Sequence, residues 1–160
     1  MTKKAWQIIL EGRARIAEGF HMHTKGSGGV PRRLRSELLD KIEKRVKPKY
    51  ISEGAVADPA ANREREHVIP MKRIAIEIID PEAHDPRSGG GPAKLLGPAR
   101  DLEHAIEIAR EMLVVALVTK DEHRRINKHG GSMQWDAPGG DGLDRYSKAG
   151  VALHAYDGRS

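Results

Sequence analysis

The run Leu113-Val114-Val115-Ala116-Leu117-Val118-Thr119 is the most apolar stretch of the chain, and it leaves the fold the least freedom. Seven residues rich in Val read as a buried strand. A second run, Arg63 to Pro70, reads as another strand, ending at a proline. What lies before, between and after these two runs is expected to be mostly helical.

Apolar residues at Trp6, Ile9, Leu10, Ala14, Ile16 and Ala17 predict a helix over 3–20 that stops near Gly19, with Gly12 and Gly19 as weak points. Pro31 fits the first turn of a second helix. Leu34, Leu38, Leu39, Ile42 and Val46 give that helix its apolar stripe, and Lys47-Pro48-Lys49 ends it. Residues 51–57 read as a turn or short helix capped by Ser52. Met71 to Ile79 reads as a helix with Met71, Ile74 and Ile78 on one side; strand is the competing reading, since the segment holds four isoleucines.

Residues 80–99 form a long Gly/Pro-rich loop. Its Ser88-Gly89-Gly90-Gly91 lacks the Gly-Lys-Ser/Thr ending of a phosphate-binding loop. Asp101 caps a helix through Met112, striped by Leu102, Ala105, Ile106 and Ala109. Lys120 and Asp121 open a helix over 121–128 that ends at His129-Gly130-Gly131. Trp135 and a Gly/Pro/Asp loop lead to a helix over 143–149, and Val151 to Ala155 is expected to close the sheet as an edge strand. The class is α+β, mostly helical, with a small β-hairpin.

Composition narrows the function classes. No apolar stretch approaches the roughly 18 residues of a membrane span, and the basic N-terminus meets Glu11 too soon to be a signal peptide. With no cysteine there is neither a disulfide framework nor a thiolate metal site, which suits a cytoplasmic protein. Any metal must take His, carboxylate or amide ligands. The charge is uneven: residues 1–50 hold 13 Lys/Arg against 5 Asp/Glu, and residues 51–160 hold 15 against 18. A basic first third suits a phosphate grip and the acidic remainder suits a cation. The basic candidates are Arg32, Arg33, Arg35, Lys41, Lys44 and Arg45 on the second helix, with Arg124 and Arg125 further on. His21 and His23 flank one residue, a spacing that could chelate a metal from a strand; in a Gly/Ser loop at a basic end they read as solvent-exposed.

The chemistry concentrates where the two apolar runs end. Glu66-His67 precedes Val-Ile-Pro, and His123 stands in the first turns of the helix after the Val-rich strand. Cleaving a phosphodiester needs an activated water and counter-charge on the departing oxygen. One neutral imidazole and one divalent ion supply both. His67 is the candidate base, with Glu66 and His123 as candidate metal ligands. Adjacent strand residues point to opposite faces, and the strand end at Pro70 is expected to relax that alternation. Each residue also has a plainer reading. His67 suits a half-buried strand position, Glu66 could pair with Arg63 or Arg65, and Asp121 and Glu122 suit a helix start.

Glu66-His67-Val68-Ile69-Pro70, followed by an apolar strand and Thr119-Lys120-Asp121-Glu122-His123-Arg124-Arg125-Ile126-Asn127, resembles the HNH, or His-Me finger, nucleases. The resemblance covers roughly 63–70 and 112–128, with 34–57 similar to a lead-in. It implies a ββα-metal core, an endonuclease acting on double-stranded DNA, and one divalent ion (Mg²⁺, Mn²⁺, Ni²⁺ or Zn²⁺). It implies His67 as general base and Glu66, His123 and Asn127 as metal ligands. Two departures stand out. No Asn lies between the two histidines, and residues 71–112 must form a helical insertion between the hairpin strands. The expected division is therefore a basic helical segment, 1–50, and a nuclease-like core, 51–160. The alternatives are a non-catalytic nucleic-acid-binding module using the basic N-terminal helices, and an assembly domain whose histidines are structural.

Overall fold

In the computed structural model, which describes residues 3–22, 25–58, 62–83, 96–130 and 143–158, the Val-rich run is the inner strand β3 (Val115–Thr119). It pairs antiparallel with β2 (Arg63–His67), in a register running from Arg63 opposite Thr119 to His67 opposite Val115. Its other edge pairs in parallel with β1 (Tyr50–Ser52), which pairs antiparallel with β4 (Leu153–Ala155). The four-stranded order is β2-β3-β1-β4, so β2 and β4 are the edges.

The class expected from the sequence is the class observed: α+β, mostly helical, with a small mixed sheet. One element differs. Residues 50–52 form strand β1 rather than leading straight into a helix. Three residues are too few to show a period-two pattern, and their strand character comes from pairing on both sides. Lys49 N also donates to Val115 O at 2.8 Å. Ser52 then caps α4 (Glu53–Ala57) as expected, its Oγ accepting from Ala55 N at 3.0 Å.

The helices supply two apolar clusters. The larger joins α1 (Lys3–Ala17), the end-to-end run of α2 (Val30–Leu34), a π-helical turn (Arg35–Leu39) and α3 (Asp40–Glu43), then α5 (Met71–Ile79) and α6 (Leu102–Met112). Helices on both sides of residue 50 thus share one core with the segment inserted between β2 and β3. The second helix buries Leu34, Leu38, Leu39 and Ile42 as its stripe predicts. In α1 the expected stripe holds in part: Ile9 is buried and Trp6 and Ile16 pack against the core, while Ala5, Ile8 and Gly12 join them and Leu10 is 46% exposed. Gly12 is not a weak point but a contact point. A Cβ there would stand 2.9 Å from Val30 Cγ1 and 3.0 Å from Ile79 Cγ2, so its bare backbone lets α1 close onto α2 and α5.

Helix, not strand, is the outcome for 71–79. Lying at the centre of the helical layer, α5 buries eight of its nine residues rather than one stripe. Two are charged, Arg73 and Glu77. The Glu77 carboxylate accepts from Leu96 N and Gly97 N at 2.7 and 3.0 Å, which fastens the end of the 80–99 segment to α5. Asp101 caps α6 by accepting from His104 N.

The smaller cluster lies against one face of the sheet. Ala116 and Val118 of β3 and Val68 meet Ile126 of α7 (Lys120–Gly130), Tyr146 of α8 (Asp144–Lys148), Ala149 and Val151. The core of the 80–99 loop, Trp135 and His23 fall outside the described residues. Among the described residues no helix is long and apolar enough to cross a membrane.

Candidate functional site

The start of α7 is fixed by a reciprocal cap. Thr119 N donates to Glu122 Oε2 at 2.8 Å, and Glu122 N donates to Thr119 Oγ1 at 3.2 Å. Ser52 Oγ donates to the same Glu122 oxygen at 2.5 Å, tying the helix start to the end of β1. With its first turn held in this way, α7 lays His123 and Asn127, one turn apart, over edge strand β2. Their side chains meet at 3.0 Å between Asn127 Nδ2 and His123 Nε2.

β2 keeps its alternation to the last residue, contrary to the expectation that the strand end relaxes it. Glu64 and Glu66 face α7, whereas Arg65 and His67 face the end of α3. Glu66 Oε2 touches His123 Nδ1, in a contact that is not aligned as a hydrogen bond. Glu64 Oε2 stands 3.6 Å from His123 Nε2. The other Glu66 oxygen accepts from Arg145 Nη2 at 3.1 Å, in a pair whose side chains are each 7% exposed. The same Arg145 nitrogen donates to the carbonyl of His67, and Val68 O lies 3.4 Å from it. Glu66 therefore pairs with Arg145 and His123, not with Arg63 or Arg65.

His67, on the other face, has its Nε2 shut off from solvent and without a hydrogen bond among the described residues. Burial pushes its imidazole below the ordinary value of 6.5, against the upward pull of the Glu43 and Glu66 carboxylates. The ring is therefore held neutral at physiological pH, the form that can accept a proton. The sign for stability follows. The unfolded chain takes up this proton near 6.5 and the folded chain only at lower pH, so the contribution is complete above 6.5. It drains away as pH falls through the folded value. Urea unfolding in a chelator is expected to show a steeper loss of stability from pH 7.5 to 5 for the wild type than for His67→Gln. Parallel curves would contradict a buried neutral imidazole.

A cleft of about 660 Å³ opens over the edge of the sheet and brings together Glu66, His67, His123 and Asn127. Arg32 and Arg35 line it too, with Arg65, Lys72 and Arg145. The other basic candidates lie elsewhere. Lys41, Lys44 and Arg45 share a second hollow of about 590 Å³ with Arg110 of α6. Arg33 pairs with Glu11 at 2.6 Å. Arg125 serves the fold, reaching Asp121 at 3.3 Å and donating to Ala149 O at 3.0 Å. Arg124 is exposed and lines neither hollow.

Glu64, Glu43, Lys72, Arg110 and Arg145 join these surroundings without having been candidates. Glu64 had a readable signal, since residues two apart on a strand share a face. Arg145, 78 residues from His67, had none.

Among the described residues no three His, Asp or Glu side chains are arranged to hold a metal ion together. The donors that do converge are the Glu66 carboxylate, the His123 imidazole and the Asn127 amide. Oxygen and imidazole donors of these kinds suit Mg²⁺, Mn²⁺, Ni²⁺ or Zn²⁺. Arg145 occupies Glu66 Oε1, and the second oxygen is the one turned toward His123. Comparison with protein-family models, curated proteins and solved structures found no match for this chain.

Proposed function

We propose that this protein is a metal-dependent endonuclease of the HNH, or His-Me finger, type, hydrolysing phosphodiester bonds of double-stranded DNA. The observation that carries the reading is the single cleft shared by a neutral, half-buried His67, by Glu66 and His123 in contact, and by Asn127, Arg32 and Arg35. His67 accepts the proton of a water as that water's oxygen attacks phosphorus, and the P–O bond to the departing strand end breaks. Arg32 and Arg35 hold the neighbouring phosphates by charge, and Arg145 holds Glu66 in place from behind. Glu66, His123 and Asn127 are the residues to hold a divalent ion, which when bound stabilises charge on the phosphate and departing oxygen. The second hollow, with four cations and no carboxylate in its lining, suits the backbone of a longer duplex. A chain without cysteine is at home in the reducing cytoplasm, where we place its action.

One observation favours the alternative of a non-catalytic nucleic-acid-binding module. Glu66 is already partnered by Arg145 and His123, an arrangement that is complete as a structural ion pair. Supercoiled plasmid separates the two readings. The wild type is expected to convert it to open-circular and linear forms in Mg²⁺, Mn²⁺, Ni²⁺ or Zn²⁺ and to stop when EDTA is added. Binding without conversion in any of the four ions would leave the binding module as the function.

A further inference from the structure

Glu43 closes α3, and its side chain is 16% exposed. Its Oε1 accepts from Arg65 Nε at 2.8 Å and lies 3.6 Å from His67 Nε2. Arg65 Nη2 completes the clamp by donating to Glu43 O at 3.1 Å and to Val46 O at 2.8 Å. The carboxylate is thus held both by its side chain and by its backbone, and it faces a ring nitrogen closed to solvent.

We infer that Glu43, clamped by Arg65, is a positioning residue that holds His67 as the Nε2–H tautomer and leaves Nδ1 to take the proton. This rests on the reading of His67 as the base. A neutral imidazole carries one N–H and one lone pair. An anionic oxygen beside a buried Nε2 attracts the N–H and repels the lone pair, which settles the choice. At 3.6 Å the pair is beyond hydrogen-bond reach, so the effect is one of charge and ring orientation. The division of labour is that of any acid that orients an imidazole without taking its proton. If Glu43 served only as a surface partner of Arg65, its removal would leave turnover untouched.

Glu43→Gln keeps the size of the side chain and leaves Arg65 its two carbonyls. Plasmid cleavage by this variant is expected to lose about 10- to 100-fold in kcat with KM for DNA unchanged, and Glu43→Asp to recover part of the loss. ¹⁵N spectra of the metal-free protein should show His67 as the Nε2–H tautomer in the wild type and as a mixture in Glu43→Gln. Wild-type kcat in Glu43→Gln, or an Nδ1–H ring in the wild type, would overturn the inference. The spectra do not depend on cleavage. A fixed Nε2–H ring in a wild type that fails to cleave would therefore overturn the nuclease reading while leaving Glu43 as the residue that sets the His67 tautomer.

Discussion

Replacing His67 with Ala is expected to slow plasmid cleavage by about 10²- to 10⁴-fold, the usual contribution of a positioned general base. Duplex affinity should stay close to that of the wild type. The basis is the separation of roles within the cleft. His67 sits on the face of β2 away from Glu66 and His123, so removing its ring leaves the candidate metal ligands and the Arg145 pair untouched. The side chains proposed to grip phosphate, Arg32 and Arg35, come from α2 and the π-helical turn after it, not from β2. The loss should therefore fall on kcat, with KM for DNA little altered, as for an interaction made only in the transition state. A loss of affinity comparable to the loss of rate would assign His67 to binding rather than to proton transfer.

Arg145→Ala is expected to have the largest effect on stability, about 3–5 kcal/mol, the cost of breaking a buried ion pair from one side. Its side chain is 7% exposed, and its guanidinium serves the Glu66 carboxylate, the His67 carbonyl and Val68 O. Removing it strands the Glu66 charge against the sheet and frees the end of β2. Urea unfolding should show a lower midpoint at an unchanged m-value. Saturating Mn²⁺ should restore part of the loss, because an ion that binds only the folded state stabilises it by mass action. A loss below about 1 kcal/mol would place Arg145 among ordinary surface pairs.

How far the site can be read from the sequence depends on the reach of each contact. The Val-rich strand, the acid-His end of β2, the helix after Pro70 and the Asp101 cap all follow from local pattern, and each is present. So is the pairing of His123 with Asn127, which is a matter of helical spacing alone. Residues 50–52 escaped because their strand character is conferred by β3 and β4 rather than by composition. Glu43 and Arg145 escaped for the same reason. Glu43 meets Arg65 across 22 residues, and Arg145 meets Glu66 across 79, distances set by how helices pack and not by any repeat in the chain. The insertion between β2 and β3 looked like an interruption of the hairpin. Instead α5 is the most deeply buried helix of the larger core, so the segment that lengthens the hairpin also anchors it.

The central claim is that Glu66 and His123 hold a divalent ion in the cleft that His67 also lines, from the other face of β2, and anomalous scattering from crystals soaked in Mn²⁺ tests it most directly. The account predicts a manganese ion ligated by a Glu66 oxygen and a His123 ring nitrogen, with the Asn127 amide turned toward it and Arg145 still on the other Glu66 oxygen. Crystals in which Glu66 stays against His123 and Arg145, with no manganese between them at saturating concentration, would contradict it.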